Sequence, residues 1–192
     1  MRVPVIVLVE GESDRTALEA LAIRSELDLA AAGIVVQPMG GIGNLARFLE
    51  RAGARQGVVC GLYDAAEEGE VRRALERAGL GEHLARTGIE ALGFFACEAD
   101  LEDELIRALG TEGVEEVIES LGELGKFLTF QRQPAWRGRP AVDQLRRFIG
   151  THSGRKAEMA AAMVAALELD RVPEPLDRIL AAALRESESH PC

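Results

Sequence analysis

The chain has 192 residues, of which 47% are apolar and only 4% aromatic, and its formal net charge is −10. That length accommodates one sizeable domain with an aliphatic core. The acidity argues against indiscriminate nucleic-acid binding, and no apolar run reaches the ~18 residues of a membrane span. The N-terminus lacks the zones of a secretory signal, so a cytoplasmic protein with no membrane association is expected.

In chain order, residues 3–9 form a short apolar run that reads as a buried strand, and it ends in Glu10-Gly11-Glu12-Ser13-Asp14. Helical spacing at 17, 18, 21 and 22 follows, broken by Gly33. A second strand is predicted at 34–36, a glycine-rich loop at 38–43, a helix to Gly53 and a third strand over 57–63 that stops at Asp64. A charged helix over 67–78 and a fourth strand over 91–97 complete an alternating pattern. Helices are expected at 100–109, 112–121, 141–149, 156–168 and 174–186, a loop at 131–140, and a frayed tail over 186–192. Strand–helix alternation with short connections predicts an α/β fold, with a mainly parallel sheet of about four strands flanked by helices and a helical C-terminal extension.

Two parts packed as one domain are expected, a core over 1–125 and a helical extension over 126–192. Charge separates them: segment 126–156 holds eight lysines and arginines against one acid, Asp143. Such a segment fits a polyanion gripped locally, or a basic face docked on the acidic body. Cys60, Cys97 and Cys192 lack Cys-x-x-Cys spacing, and Cys60 and Cys97 read as buried thiols. His83, His152 and His190 are scattered, which argues against a histidine metal site.

In a parallel sheet the C-terminal strand ends share one edge, and ligands bind there. Glu10, Gly40-Gly41, Asp64 and the pair Glu98 and Asp100 all fall at such ends. Each acid taken alone is explained as a helix cap; as a set they would repel unless a hard divalent cation joined them. Gly11 allows a tight turn, bringing Asp14 close enough to Glu10 to share an ion. Ser13 reads as a cap and Glu12 as solvated. Gly41-x-Gly43-x-x-Ala46 loosely matches a dinucleotide-binding turn and reads more simply as a turn near the acidic edge. Asp100-Leu101-Glu102-Asp103-Glu104 carries more acids than one helix start needs. Ser153-Gly154-Arg155-Lys156 puts cations at a helix start, against the macrodipole, as if an anion were to sit there.

Val9-Glu10-Gly11-Glu12-Ser13-Asp14 resembles the first motif of Toprim domains, those of the OLD-family (overcoming lysogenization defect) nucleases in particular. Gly40-Gly41 with Asn44 is similar to their glycine turn, Asp64 to the first acid of the Toprim Asp-x-Asp motif, Asp100-Leu101-Glu102 to their acidic helix start, and Gly154-Arg155-Lys156 to a late basic segment. The resemblance spans roughly residues 3–165. It implies a Toprim-like Rossmannoid fold and a metal-dependent endonuclease or nickase acting on DNA, with Mg²⁺ or Mn²⁺ held by Glu10, Asp14, Asp64 and Glu102. Asp100 would be a further ligand or a support to the ligands. Glu10 and Lys156 would be catalytic, Lys156 stabilising the charge that develops on phosphorus.

Two departures stand out. Ala66 occupies the place of the second Asp of Asp-x-Asp; Glu67 or Glu68 could reach in from the helix start, although their spacing is wrong for direct replacement. No ATP-binding Gly-x-x-x-x-Gly-Lys-Ser/Thr occurs, so a stand-alone domain is expected, with any ATPase on a separate chain. Arg132, Arg137, Arg139, Arg146, Arg147 and Arg155 are the expected phosphate contacts, with Trp136 as a base-stacking or packing residue. RNA remains an alternative to DNA. The competing reading of the whole is a Toprim-derived binding or regulatory module, and a third is a small-molecule phosphatase or nucleotidyl-transfer domain. A homodimer through spare apolar surface of helix 156–168 is also expected.

Overall fold

Alternate residues of the first apolar run face opposite sides, and both sides are covered. In a computed structural model describing residues 4–54, 57–150 and 153–189, β1 (Val5–Val9) pairs in parallel with β2 (Ile34–Pro38) and β3 (Val58–Asp64), and β3 with β4 (Phe94–Cys97). The order is β2-β1-β3-β4. The expected parallel four-stranded α/β sheet is therefore present. The start of strand one at Val3, and His152, His190 and Cys192, lie outside the described residues.

Val5, Val7 and Val9 enter the larger core, with Ile34, Val36, Cys60, Leu62, Phe95 and Cys97. That face is covered by α1 (Glu12–Arg24), α5 (Leu101–Ser120), α8 (Ser153–Ala166) and α9 (Glu174–Ser189). Leu8, Tyr63 and Phe94 enter the smaller core on the other face, under α2 (Leu45–Ala54), α3 (Glu68–Arg77) and α4 (Arg86–Ala91). Burial on both faces explains why β1 is a continuous apolar run rather than an alternating one. Each fully buried valine contributes roughly 1.5–3 kcal/mol. Helices α6 (Leu124–Gln131) and α7 (Ala141–Ile149) add an aromatic cluster of Phe127, Phe130 and Phe148 to the larger core. No described helix is long and apolar enough to cross a membrane.

Several boundaries differ from expectation. The fourth strand starts at Phe94, not residue 91, because Ala91 and Leu92 end α4 and Gly93, at φ +83°, terminates it in the left-handed region. The helices expected at 100–109 and 112–121 run on as α5, interrupted at Gly110, whose φ of 75° and ψ of 165° are not helical. Helix α6 is an addition to the expected elements, and its Phe127 is fully buried. Trp136 stacks on Phe130, with centroids 5.2 Å apart, so its packing reading is the one the fold supports. On α8, Met159, Ala160, Met163 and Val164 are buried against α1 and α5, while Ala165 and Ala166 are exposed.

Gly61 marks the tightest point of the sheet. A Cβ there would stand 2.7 Å from two ring carbons of Phe94 and 3.2 Å from the carbonyl oxygen of Leu8. Gly61→Ala is expected to lower unfolding stability by about 1–3 kcal/mol through overpacking, measured as a lower denaturation midpoint with an unchanged m-value.

Candidate metal centre

The C-terminal edge of the sheet opens into a cleft of about 400 Å³ lined by Glu10, Asp14, Asp64, Asp100, Glu102 and Lys156, with Gly11, Gly40 and Gly41 at its wall. Every acid expected at the metal, and the expected catalytic lysine, thus meets at one place. Glu10 follows β1, and its backbone is fixed from the next crossover. The N–H groups of Gly40 and Gly41 donate to the Glu10 carbonyl at 2.9 and 3.2 Å. That approach needs φ values of 73° and 108°, which glycine adopts without strain. Asn44 donates to the carbonyls of Met39 and Gly40 and closes the same turn. The glycine turn is therefore a clamp on Glu10.

Gly11 is the N-cap of α1, and its N–H donates to Asp14 Oδ2 at 2.8 Å. Ser13, expected to cap, is instead buried within the first turn, and Glu12 pairs with Arg15 on the surface. At the start of α5 the crowded acids divide their tasks. Asp100 Oδ1 accepts the Asp103 N–H at 2.7 Å, and its Oδ2 takes Arg146 at 3.2 Å. Both oxygens of Asp100 are engaged, which makes it a cap and an arginine partner rather than an open ligand. Asp103 pairs with Arg107 and Arg146. Glu104 accepts the Glu98 N–H at 2.8 Å and so holds the end of β4. Glu102 turns into the cleft toward Lys156. It is 4% exposed, its Oε2 lies 3.1 Å from Lys156 Nζ, and its Oε1 has no donor among the described residues.

Electrostatics follow the crowding. Burial, with the Glu102 and Glu10 charges adding to it, pushes Asp14 up to about 6 against the opposing Gly11 N–H and Lys156. Burial and then Glu10, Glu67, Asp100 and Asp14 push Asp64 up to about 7. Burial also raises Glu102 against the pull of Lys156. Burial alone would lower the Lys156 ammonium, but Glu102, Asp14 and Asp100 hold it above the ordinary lysine value. These carboxylates are held together with too little positive charge.

The residues fit a hard divalent cation. One carboxylate oxygen each from Glu10, Asp64 and Glu67 lie within 4.8 Å of one another. Oxygens bound to Mg²⁺ at 2.0–2.1 Å stand about 2.9–4.2 Å apart. Oxygen-only donors select Mg²⁺ or Mn²⁺ rather than thiophilic metals. Glu67 is the site residue that sequence spacing discounted, whereas Glu68 is taken by Arg72 and Arg86.

Residues 4–65 match the family model of the overcoming lysogenization defect protein-like Toprim domain. Residues 4–65 are thus similar to an OLD-like Toprim domain. The matched segment runs from β1 through Asp64, the stretch that builds the glycine clamp and two of the cleft acids. Among solved structures, the C-terminal region of the Xanthomonas campestris pv. campestris OLD protein is similar at 24% identity, with a TM-score of 0.74 over 97% of this chain and 95% of that one. The C-terminal region of the Burkholderia pseudomallei OLD protein is similar at 22% identity, with a TM-score of 0.69 over 97% and 100%. These likenesses establish the shared fold. No curated protein matches by sequence.

The basic segment divides in two. Arg146, Arg155 and Lys156 dock on the chain's own acids. Arg155 pairs with Glu123 at 2.9 Å, donates to the Phe148 carbonyl and lies 4.3 Å over the Phe148 ring. It is engaged there instead of being presented to a phosphate. Arg132, Arg137 and Arg139 are exposed, Arg139 lies over the Trp136 ring, and Arg147 is exposed on α7. Cys60 and Cys97 are buried free thiols, as expected.

Asp14 and Asp64 hold protons more tightly folded than unfolded. The metal-free protein should therefore be most stable in mild acid and lose this contribution as pH rises through about 6 to 7. In EDTA the melting temperature is expected to fall as pH rises from about 4 and to level off above about 7. Saturating Mg²⁺ should remove most of that fall, and so should the double variant Asp14→Asn, Asp64→Asn. Scanning fluorimetry across the pH series checks this.

Proposed function

We propose that this protein is a divalent-metal-dependent nuclease that nicks or cuts DNA phosphodiesters, with residues 126–156 of the helical extension contributing the grip on the backbone. The observation that carries this reading is the meeting of Glu10, Asp14, Asp64, Glu102 and Lys156 in one cleft at the strand ends, on an OLD-like Toprim domain.

Glu10, Asp64 and Asp14 would hold Mg²⁺ or Mn²⁺, with Glu102 beside them. When bound, the ion supplies Lewis acidity toward the phosphoryl group and makes water easier to deprotonate. The remaining work belongs to the chain. Gly40 and Gly41 fix the Glu10 backbone, so the carboxylate is pre-positioned rather than recruited. Glu102 orients the Lys156 ammonium at the cleft wall, where it would face the negative charge that develops on the non-bridging phosphoryl oxygens. Arg132, Arg137 and Arg139, exposed on the loop entering α7, supply charge to the phosphates on either side. Arg146 ties α7 to Asp100 and so to the rim of the cleft. A second reading, a binding or regulatory module, is favoured by Ala66, which offers no carboxylate at the second Asp-x-Asp position.

Supercoiled plasmid is expected to be nicked with Mn²⁺ or Mg²⁺ and left intact in EDTA. Glu10→Ala and Lys156→Ala should each reduce the rate at least a hundredfold, about 3 kcal/mol of barrier. Retarded but uncut DNA with every metal would instead support the binding module, and cleavage confined to RNA would change the substrate. Replacing Arg132, Arg137 and Arg139 together by Ala should weaken DNA binding. It should also lower the slope of log affinity against log salt by about two to three, measured by fluorescence anisotropy.

A further inference from the structure

The missing second Asp of the Asp-x-Asp motif has a physical substitute one residue further on. After Asp64, which is extended at φ −78° and ψ 134°, the chain does not continue as a strand but turns at once into a 3-10 helix, Ala65–Glu67. In an extended chain, residues i and i+2 share a face, so a ligand pair needs Asp-x-Asp spacing. In a 3-10 turn the side chains at i and i+3 eclipse. Here Asp64 and Glu67 are that pair, while Ala66 is exposed and lies off that shared face.

Three observations agree. Carboxylate oxygens of Glu67, Asp64 and Glu10 lie within 4.8 Å of one another. Glu67 Oε2 is buried and has no hydrogen-bond donor among the described residues. Its neighbours at positions 65 and 66 are alanines, which place no competing side chain in the turn. On the opposite wall, Asp14 and Glu102 have Lys156 as their counter-charge. The Glu10–Asp64–Glu67 group has no ion-pair partner among the described residues, and Arg86 and Arg72 are taken by Glu68.

We infer that Glu67 is a metal-positioning ligand, taking with Glu10 and Asp64 the place that an aspartate at residue 66 would otherwise fill. The inference rests on the metal-dependent reading above and sharpens it, because it removes the main ground for regarding the site as degenerate.

The test is calorimetric titration of the full chain with MnCl₂, with a melting curve of each metal-free variant as the folding control. Wild type should bind Mn²⁺. Glu67→Gln, close to isosteric, should fold with an unchanged or higher melting temperature and bind at least tenfold more weakly, and Glu67→Asp should fall between the two. Adding Ala66→Asp to Glu67→Gln should not restore affinity, because residue 66 is off the shared face. Binding by Glu67→Gln at wild-type affinity while Glu10→Gln loses it would overturn the role of Glu67 and leave the metal site standing. Restoration by Ala66→Asp would overturn it as well, by returning the ligand to position 66. Absence of Mn²⁺ binding by wild type would overturn both the inference and the metal-dependent reading.

Discussion

Mutual repulsion among carboxylates is the constraint around which this molecule is arranged. Four parallel strands end at one edge; acids stand at three of those ends and the Gly40-Gly41 turn at the fourth. Burial there removes the water that would screen them, so each raises its neighbour's affinity for protons. The surrounding structure reads as a series of devices for holding the charges in place. One carbonyl is pinned by two glycine amides, one carboxylate is fixed by its helix-capping N–H, and one half-buried ion pair spans two helices. A pair with one buried partner is a poor source of net stability. Its function is to set where an ammonium points.

Much of this was legible in the sequence, for identifiable reasons. The parallel sheet followed from apolar runs separated by helix-length segments, and parallel topology then required Glu10, Asp64 and Glu102 to meet. Helix α7 was found with its observed ends because Pro140 and Gly150 bracket a clear amphipathic stripe. What escaped was decided by local backbone geometry. The spacing of Glu67 from Asp64 does not match Asp-x-Asp, and no composition rule shows that a single 3-10 turn after the strand brings a residue at that spacing next to Asp64. Strand β4 was drawn three residues too long because Ala91 and Leu92 suit either element, and Gly93 decides between them only through its positive φ.

Charge clustering proved to be two signals superposed. Segment 126–156 contains arginines that neutralise the domain's own acids and arginines that face solvent, and sequence proximity does not separate them. The distinction depends on which residues of α7 and α8 face the sheet edge. Arg146 and Lys156 do, and Arg155 is turned onto Phe148 and Glu123. The solvent-facing arginines sit on the loop before α7, where Trp136 is anchored against Phe130 and gives the loop a defined shape.

Lys156 comes from a helix that begins at Ser153, far along the chain from Glu102, and α9, which is later still, lies across β1, β3 and β4. During synthesis the strands therefore emerge before their last covering helix, and the acidic edge before its ammonium. A nascent chain ending near residue 150 would hold Glu102 with no counter-charge, and that part of the fold would settle only after docking of the C-terminal helices. The long sequence separation thus makes the centre the last feature to be completed, a built-in delay between having the acids and having a site in working order.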